Sequence, residues 1–177
     1  MTRRYMGMDV FSRTFLPAAA EAGVAIPIVS RHMPVFRRCV APDDVTVLVT
    51  RCLRPDRALQ GEFLLLLTYR RLVVTQQTRV LHRLRLHLNT DLRDLGNVTW
   101  NADPRAGSVE LAATAVDGVR ERFHMKVGQP KQVWHLDALL THAFRRRLPT
   151  APAGPMPQPP AATTPQTTRR LSPAAAY

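Results

Sequence analysis

Lysine, cysteine and long apolar runs are scarce in this chain of 177 residues, and each scarcity excludes something. Two cysteines, Cys39 and Cys52, are too few for a disulfide-stapled miniprotein or a four-cysteine zinc site. They belong to no motif, which fits a reducing compartment and buried, inert thiols. No apolar run reaches the ~18 residues of a transmembrane helix. Acidic side chains number 13 against 25 basic ones, for a net charge of +12, and Lys126 and Lys131 are the only lysines. Abundant arginine, alanine and proline together mark a high-GC genome, so arginine by itself says little about nucleic acid. What is present is ordinary: 45% hydrophobic and 21% charged residues, enough to build a core.

Export is the first question at the start of the chain, where Thr2-Arg3-Arg4 and Ala18-Ala19-Ala20 bracket a short segment. Asp9 and Arg13 interrupt the ~7–15 apolar residues that a signal peptide needs there, so a cytoplasmic protein is expected.

Composition divides the chain in three. Residues 149–177 hold eight of the fifteen prolines and no acidic residue. Proline fixes φ and removes backbone donors, so this segment predicts a disordered tail, with Pro149, Pro152 and Pro155 at the spacing of polyproline ligands. Residues 1–42 predict a helical extension packed outside the main domain. One helix starts at Asp9, with Val10, Phe11, Thr14 and Phe15 at helical spacing and Pro17 limiting or kinking it; a second, short one covers Val35–Cys39.

Residues 43–148 predict the main domain. Val45, Val47 and Val49 line one face of a strand ending near Arg54, and a loop follows to Gln60. GEFLLLLT from Gly61 and RLVVT from Arg71 are too short for helices, and their β-branched residues favour strands. Next, inward Leu84, Leu86 and Leu88 alternate with outward Arg83, Arg85 and His87. Thr90–Gly96 is irregular, VTWN from Val98 opens another strand, DPRAG over 103–107 is a turn, and Val109, Leu111, Ala113 and Ala115 alternate. Asp117-Gly118 predicts a type I′ hairpin turn. Beyond it Val119, Glu121, Phe123, Met125 and Val127 share a face, with Glu121 the one misfit, and Arg120, Arg122, His124 and Lys126 share the other. After Gly128 the period becomes 3.6. Val133, Leu136, Leu140, Ala143 and Phe144 form the apolar stripe of a helix with Pro130 in its first turn and Arg145, Arg146 and Arg147 in its last.

Seven strands and a closing helix resemble the pleckstrin-homology superfold in its bacterial PH-like form, over residues 43–147. GEFLLLLTYRRLVVT is similar to the family's second and third strands, although Tyr69 stands where the family often has Asn or Asp. TDLRDLGNVTW, with Leu92, Leu95 and Val98, is similar to the start of the following strand. The resemblance implies a mainly β fold with helices: a seven-stranded antiparallel barrel or orthogonal sandwich, closed by the C-terminal α-helix. In it Gly61, Asp117 and Gly118 shape turns, and Trp134 is buried as the cap of the open barrel end.

No nucleophile elbow, P-loop, metalloprotease helix or dinucleotide fingerprint occurs, so neither an enzyme nor a cofactor is expected. His135 and His142 lie seven apart on one helix without a third ligand, and Asp91 and Asp94 suit turns. The basic residues remain, spread as +4 over residues 1–42, +6 over 43–148 and +2 over 149–177. Candidates for contact with an anionic surface are Arg54 and Arg57 at the first hairpin loop, Arg70 and Arg71 at the next, and Arg83, Arg85, Arg120, Arg122 and Lys126 on strand faces. PH-like folds serve as lipid-binding or protein-docking scaffolds. The resemblance therefore implies a non-catalytic interaction module with a protein partner or a homo-oligomer. Weak contact with the inner face of the membrane fits as well, at ~1 kcal/mol per cation. Arg51, Arg54 and Arg57 loosely match the cationic cluster of lipid-binding members. The alternative is binding of nucleic acid phosphates, against which stands the lack of a recognition-helix motif or a stacked aromatic pair.

Overall fold

Period two persists from Thr46 to Lys126 and builds seven antiparallel strands in the computed structural model, which describes residues 9–55, 61–78 and 83–145. One sheet runs in the order β1 (Thr46–Cys52), β2 (Glu62–Thr68), β3 (Arg71–Gln77), β4 (Leu84–Asp91). The other runs β5 (Gly96–Asp103), β6 (Ser108–Thr114), β7 (Arg120–Lys126). Helices α1 (Val10–Glu21) and α2 (Ile26–Cys39) precede them and α3 (Pro130–Arg145) follows. This is the mainly β architecture that the pleckstrin-homology resemblance implies, with helices at both ends. The tail expected over 149–177 lies outside the described residues.

The unbroken leucine run of β2 has a packing reason. Leu65 and Leu67 face the core between the sheets, with Phe63, Leu111, Phe123 and Met125. Leu64 and Leu66 face the other way, into a second core that Phe11, Phe15 and Phe36 of α1 and α2 complete. A strand buried on both faces reads as continuous rather than alternating. The N-terminal helices are thus the outer cover of the first sheet.

α2 is longer than expected, because it runs through Pro34 and takes Pro27 into its first turn. Proline costs an interior helix a hydrogen bond, but Val29, His32 and Phe36 bury one face here, and that burial prevails over local propensity. His32 sits with Nδ1 2.7 Å from the Thr75 hydroxyl. Burial, reinforced by the Arg31 charge and opposed by a Gln77 hydrogen bond, lowers its pKa from 6.5 to about 4. The native state therefore keeps His32 neutral while the unfolded chain protonates it. Stability from this group is complete above pH 6.5 and is lost as pH falls through about 4. Melting temperature should drop across that window, and less so in a His32→Leu variant; equal drops in thermal scans at pH 7 and 4.5 would assign the loss to other groups.

α3 buries the expected stripe, Val133, Leu136, Leu140, Ala143 and Phe144. Trp134 is not the cap: it is 59% exposed on the solvent side of α3. Its helical phase sets it about 80° beyond Phe144, the nearer edge of the stripe. The tryptophan that engages the helix is Trp100 of β5. Its Nε1 donates to Asp137 at 2.8 Å, and its ring lies 5.9 Å from that of Phe144.

Two glycines act as expected and one turn differs. Gly61 has φ +120°, and a Cβ there would stand 2.1 Å from the Gln77 carbonyl oxygen, so only glycine fits. At Asp117-Gly118 the left-handed residue is Gly118 alone, at φ 79°. Ala115 N–H donates to Val119 O and Gly118 N–H to Ala115 O, both at 2.9 Å. This is a three-residue loop closed by a left-handed glycine, not a type I′ turn. At Tyr69 the reversal is held from its flank. The Thr68 hydroxyl accepts from the N–H groups of Arg70 and Arg71 and donates to buried Asp44 at 2.7 Å.

Candidate functional site

The misfit Glu121 and the outward-reading His87 meet inside the protein. β4 carries a bulge against β3: Leu88 pairs with Val74 and Leu86 with Thr75, so His87 is the extra residue. A bulge re-aims side chains. Leu86 turns out, 47% exposed, and the His87 ring turns in against Phe63 and Phe123, at 5.5 and 6.3 Å. Both positions reverse the alternation expected for this strand. His87 Nε2 lies 3.2 Å from Glu121 Oε2 and 3.2 Å from Arg54 Nη1. One nitrogen cannot donate to the carboxylate and accept from the guanidinium at once, so the tautomer selects one of the two bonds. Arg54 Nη2 reaches Glu121 Oε2 at 2.9 Å, and its Nε is buried with no partner among the described residues. Arg54 is thus an internal cation that ties the end of β1 to β7. It is no part of an anion-binding surface.

Among the described residues, four of the other proposed cations are also engaged internally. Arg70 pairs with Asp43 at 3.1 Å, Arg71 donates to Asn89 at 2.7 Å, and Arg122 pairs with Glu110 at 2.6 Å. Arg120 donates to the Asn97 carbonyl and the Thr99 hydroxyl at 3.1 and 3.0 Å. Arg57 lies outside the described residues. Arg83 and Arg85 are exposed at the start of β4, and Lys126 is exposed at the end of β7. Strand alternation sends many of the described ones outward, where Arg70 and Arg122 are paired with carboxylates and Arg71 and Arg120 are held by neutral acceptors.

A different set does converge. Among the described residues the two sheets join at one backbone bridge, where Leu53 and His124 exchange two hydrogen bonds of 2.8 Å. Continuing that antiparallel register would put Arg51 opposite Lys126, and like charges directly opposite destabilise a ladder. The strands part there, and a cleft of about 630 Å³ opens. It is lined by Val47 to Arg51 of β1, by Ala18, Glu21 and Ala22 at the end of α1, and by Lys131, His135, Leu136 and Leu139 of α3. No carboxylate pairs with Arg51, Lys126 or Lys131 among the described residues. Glu21, the acid of this lining, is 3.3 Å from His135. Of these cations the sequence reading singled out Lys126; Arg51 was weighed with the first hairpin loop, and Lys131 was passed over. The signal that unites Arg51 and Lys126 is the register of the Leu53–His124 bridge, and the packing of α3 adds Lys131; no local pattern contains either.

Neither cysteine offers a nucleophile. Cys52 is buried, and burial pushes its thiol far up; Cys39 is half-buried and raised by burial, against the charges of Arg71 and Arg38. Both remain protonated at neutral pH. Among the described residues no three His, Cys, Asp or Glu side chains converge as a metal site, and no helix is long and apolar enough to cross a membrane. His142 packs against Tyr69 at 6.0 Å between rings.

No protein-family model and no curated protein matches the chain. Among solved structures, it is similar to one from the crystal structure of the complex of PDZ-RhoGEF DH/PH domains with GTP-gamma-S activated RhoA. The identity is 12% and the TM-score 0.45, over 74% of this chain and 37% of that one. The chain thus spans little more than a third of that structure's length. At this likeness nothing about that complex transfers to the present site.

Proposed function

We propose that this chain is a non-catalytic, PH-like interaction module that holds an anionic partner at the cleft between β1 and β7. The observation that carries the reading is the trio Arg51, Lys126 and Lys131, unneutralised beside an apolar wall, where most other strand cations have internal partners. A volume of about 630 Å³ suits a small ligand or a few residues of a peptide. The sequence patterns around Gly61 and Asp91 support a bacterial PH-like affiliation, and the inert thiols agree with binding rather than turnover. A second reading has its own observation. Arg83 and Arg85 are exposed beside the out-turned Leu86, which supports weak contact of β4 with anionic lipid.

Retention by polyglutamate, phosphatidylserine vesicles and duplex DNA, at low salt and at ~0.15 M where the Debye length is ~8 Å, separates these readings. Reversing Lys126 and Lys131 to Glu is expected to weaken the preferred probe at least ~10-fold, or ~1.4 kcal/mol. Reversing Arg83 and Arg85 should matter little. If the β4 pair governs vesicle binding, the lipid reading replaces the cleft. Retention of none of the three probes at either salt would end the proposal.

A further inference from the structure

The charge of the cleft sits at one end of it, and the wall changes character along its length. Arg51 precedes the Leu53–His124 bridge by two residues on β1 and Lys126 follows it by two on β7, so both stand where the strands part. α3 begins at Pro130, four residues after Lys126, which keeps Lys131 at the same end. All three cations are exposed. Glu21 is turned to His135 of α3, at 3.3 Å, and not to them. Away from this end, Val47 lies four residues back along β1, ~13 Å at the rise of a strand. Leu139 lies eight residues beyond Lys131 along α3, ~12 Å at the rise of a helix. Both pack at the edge of the core between the sheets. α1 is anchored at the start of β1, where the Thr14 hydroxyl accepts from Thr46 N–H at 3.0 Å, and Ala18 follows Thr14 by one turn. Ala22 is exposed, and Ala18, Val47 and Leu139 are half-buried, so each has surface left to cover.

We infer that the cleft takes a free, single-chain aliphatic anion: a carboxylate or phosphate head on a hydrocarbon chain. The inference rests on the anion-binding reading of the same cleft and names the ligand's class. The Arg51 guanidinium presents a fork that matches carboxylate and phosphate oxygens, and the ammonium groups of Lys126 and Lys131 add charge without fixing its geometry. The other end selects the chain. Ala18, Ala22, Val47 and Leu139 offer no side-chain donor or acceptor. A peptide backbone laid against them would give up water without replacement, whereas a hydrocarbon chain has no such bonds to lose. Among the described residues no phenylalanine, tyrosine or tryptophan lines the cleft, so a nucleobase lacks such a ring to stack on. Carbon–carbon bonds of ~1.5 Å at ~111° advance ~1.25 Å per carbon, so about ten carbons span the ~12 Å from Lys131 to Leu139. A lipid held in a bilayer presents its head and keeps its chain, so the source is an amphiphile free in solution.

Titration calorimetry of the full chain with hexanoate, octanoate, decanoate and dodecanoate, below their micelle concentrations and at low salt, tests this. Complete burial tightens binding ~4-fold per methylene; partial burial here should give at least ~10-fold from hexanoate to decanoate and less than ~2-fold more for dodecanoate, whose end passes Leu139. Decanol, without the charge, should bind at least ~10-fold more weakly than decanoate. The Lys126→Glu, Lys131→Glu double variant should lose at least ~10-fold for decanoate and little for decanol, with an unchanged melting temperature. In NMR spectra the terminal methyl of decanoate should contact the methyls of Val47 and Leu139, a readout that needs no variant to fold. Decyl phosphate against decanoate identifies the head, and binding of either with this chain-length dependence supports the class. Affinity that ignores chain length, decanol as tight as decanoate, or a chain end away from Val47 and Leu139 overturns the inference. Retention of polyglutamate without binding of decanoate or decyl phosphate overturns it alone and leaves the anion-binding reading standing. Phosphatidylserine vesicles bound without either soluble ligand overturn it in favour of a membrane surface. If polyglutamate, vesicles and DNA also fail, both fall together.

Discussion

Replacement of Glu121 by alanine is expected to cost about 3–5 kcal/mol of stability, because it leaves Arg54 as a buried charge without its counterion. The two side chains are 9% and 11% exposed and 2.9 Å apart. A large apolar residue at both positions behaves differently. An Arg54→Met, Glu121→Leu double variant should recover most of the loss, since removing both charges removes the desolvation penalty with the attraction. Urea unfolding measures both, as a shift in midpoint at constant slope. A double variant as unstable as Glu121→Ala would mean that the pair matters for packing and not for charge. His87 gains or loses one hydrogen bond in either case, so His87→Ala should have a smaller effect than Glu121→Ala.

Removal of α3 by truncation before residue 132 should abolish cooperative unfolding. Burial of Val133, Leu136, Leu140 and Phe144 contributes ~1.5–3 kcal/mol for each side chain. Together that is comparable with the ~5–15 kcal/mol that holds a whole domain. A graded version tests the same packing: Leu140→Ala, at a fully buried position, should lose ~2–5 kcal/mol. Trp134→Ala, on the exposed side one residue beyond Val133, should stay within ~0.5 kcal/mol. Near-ultraviolet circular dichroism and calorimetry read these outcomes. A truncated chain that still melts cooperatively would make α3 an appendage and not the lid of the core.

The contrast between Val133 and Trp134 shows where local pattern suffices. The stripe at Val133, Leu136, Leu140 and Phe144 follows from 3.6 residues per turn, and the structure buries those side chains. The placement of Trp134 came from likeness to a family, not from the helix's own phase, and the phase turns it outward. Strand positions followed in the same way from period two. One bulge between β3 and β4 then reversed Leu86 and His87 together, because a single inserted residue exchanges the two faces. Pro34 marks the opposite failure: a residue read as punctuation lies inside α2, since burial of Val29, His32 and Phe36 outweighs one lost backbone bond.

Element type, element order and the positions of the glycine turns were readable from the chain because they depend on spacing over a few residues, while the type of the turn at Gly118 was not. So were the apolar stripe of α3 and the misfit of Glu121. Which cations are free and which are spent internally depends on partners 12 to 67 positions away, as in Arg122 with Glu110 or Arg54 with Glu121. The cleft likewise exists because β1 and β7 touch at Leu53 and His124 and then separate at Arg51 and Lys126. Register between distant strands set both, and register is a property of the assembled sheets, not of any segment alone.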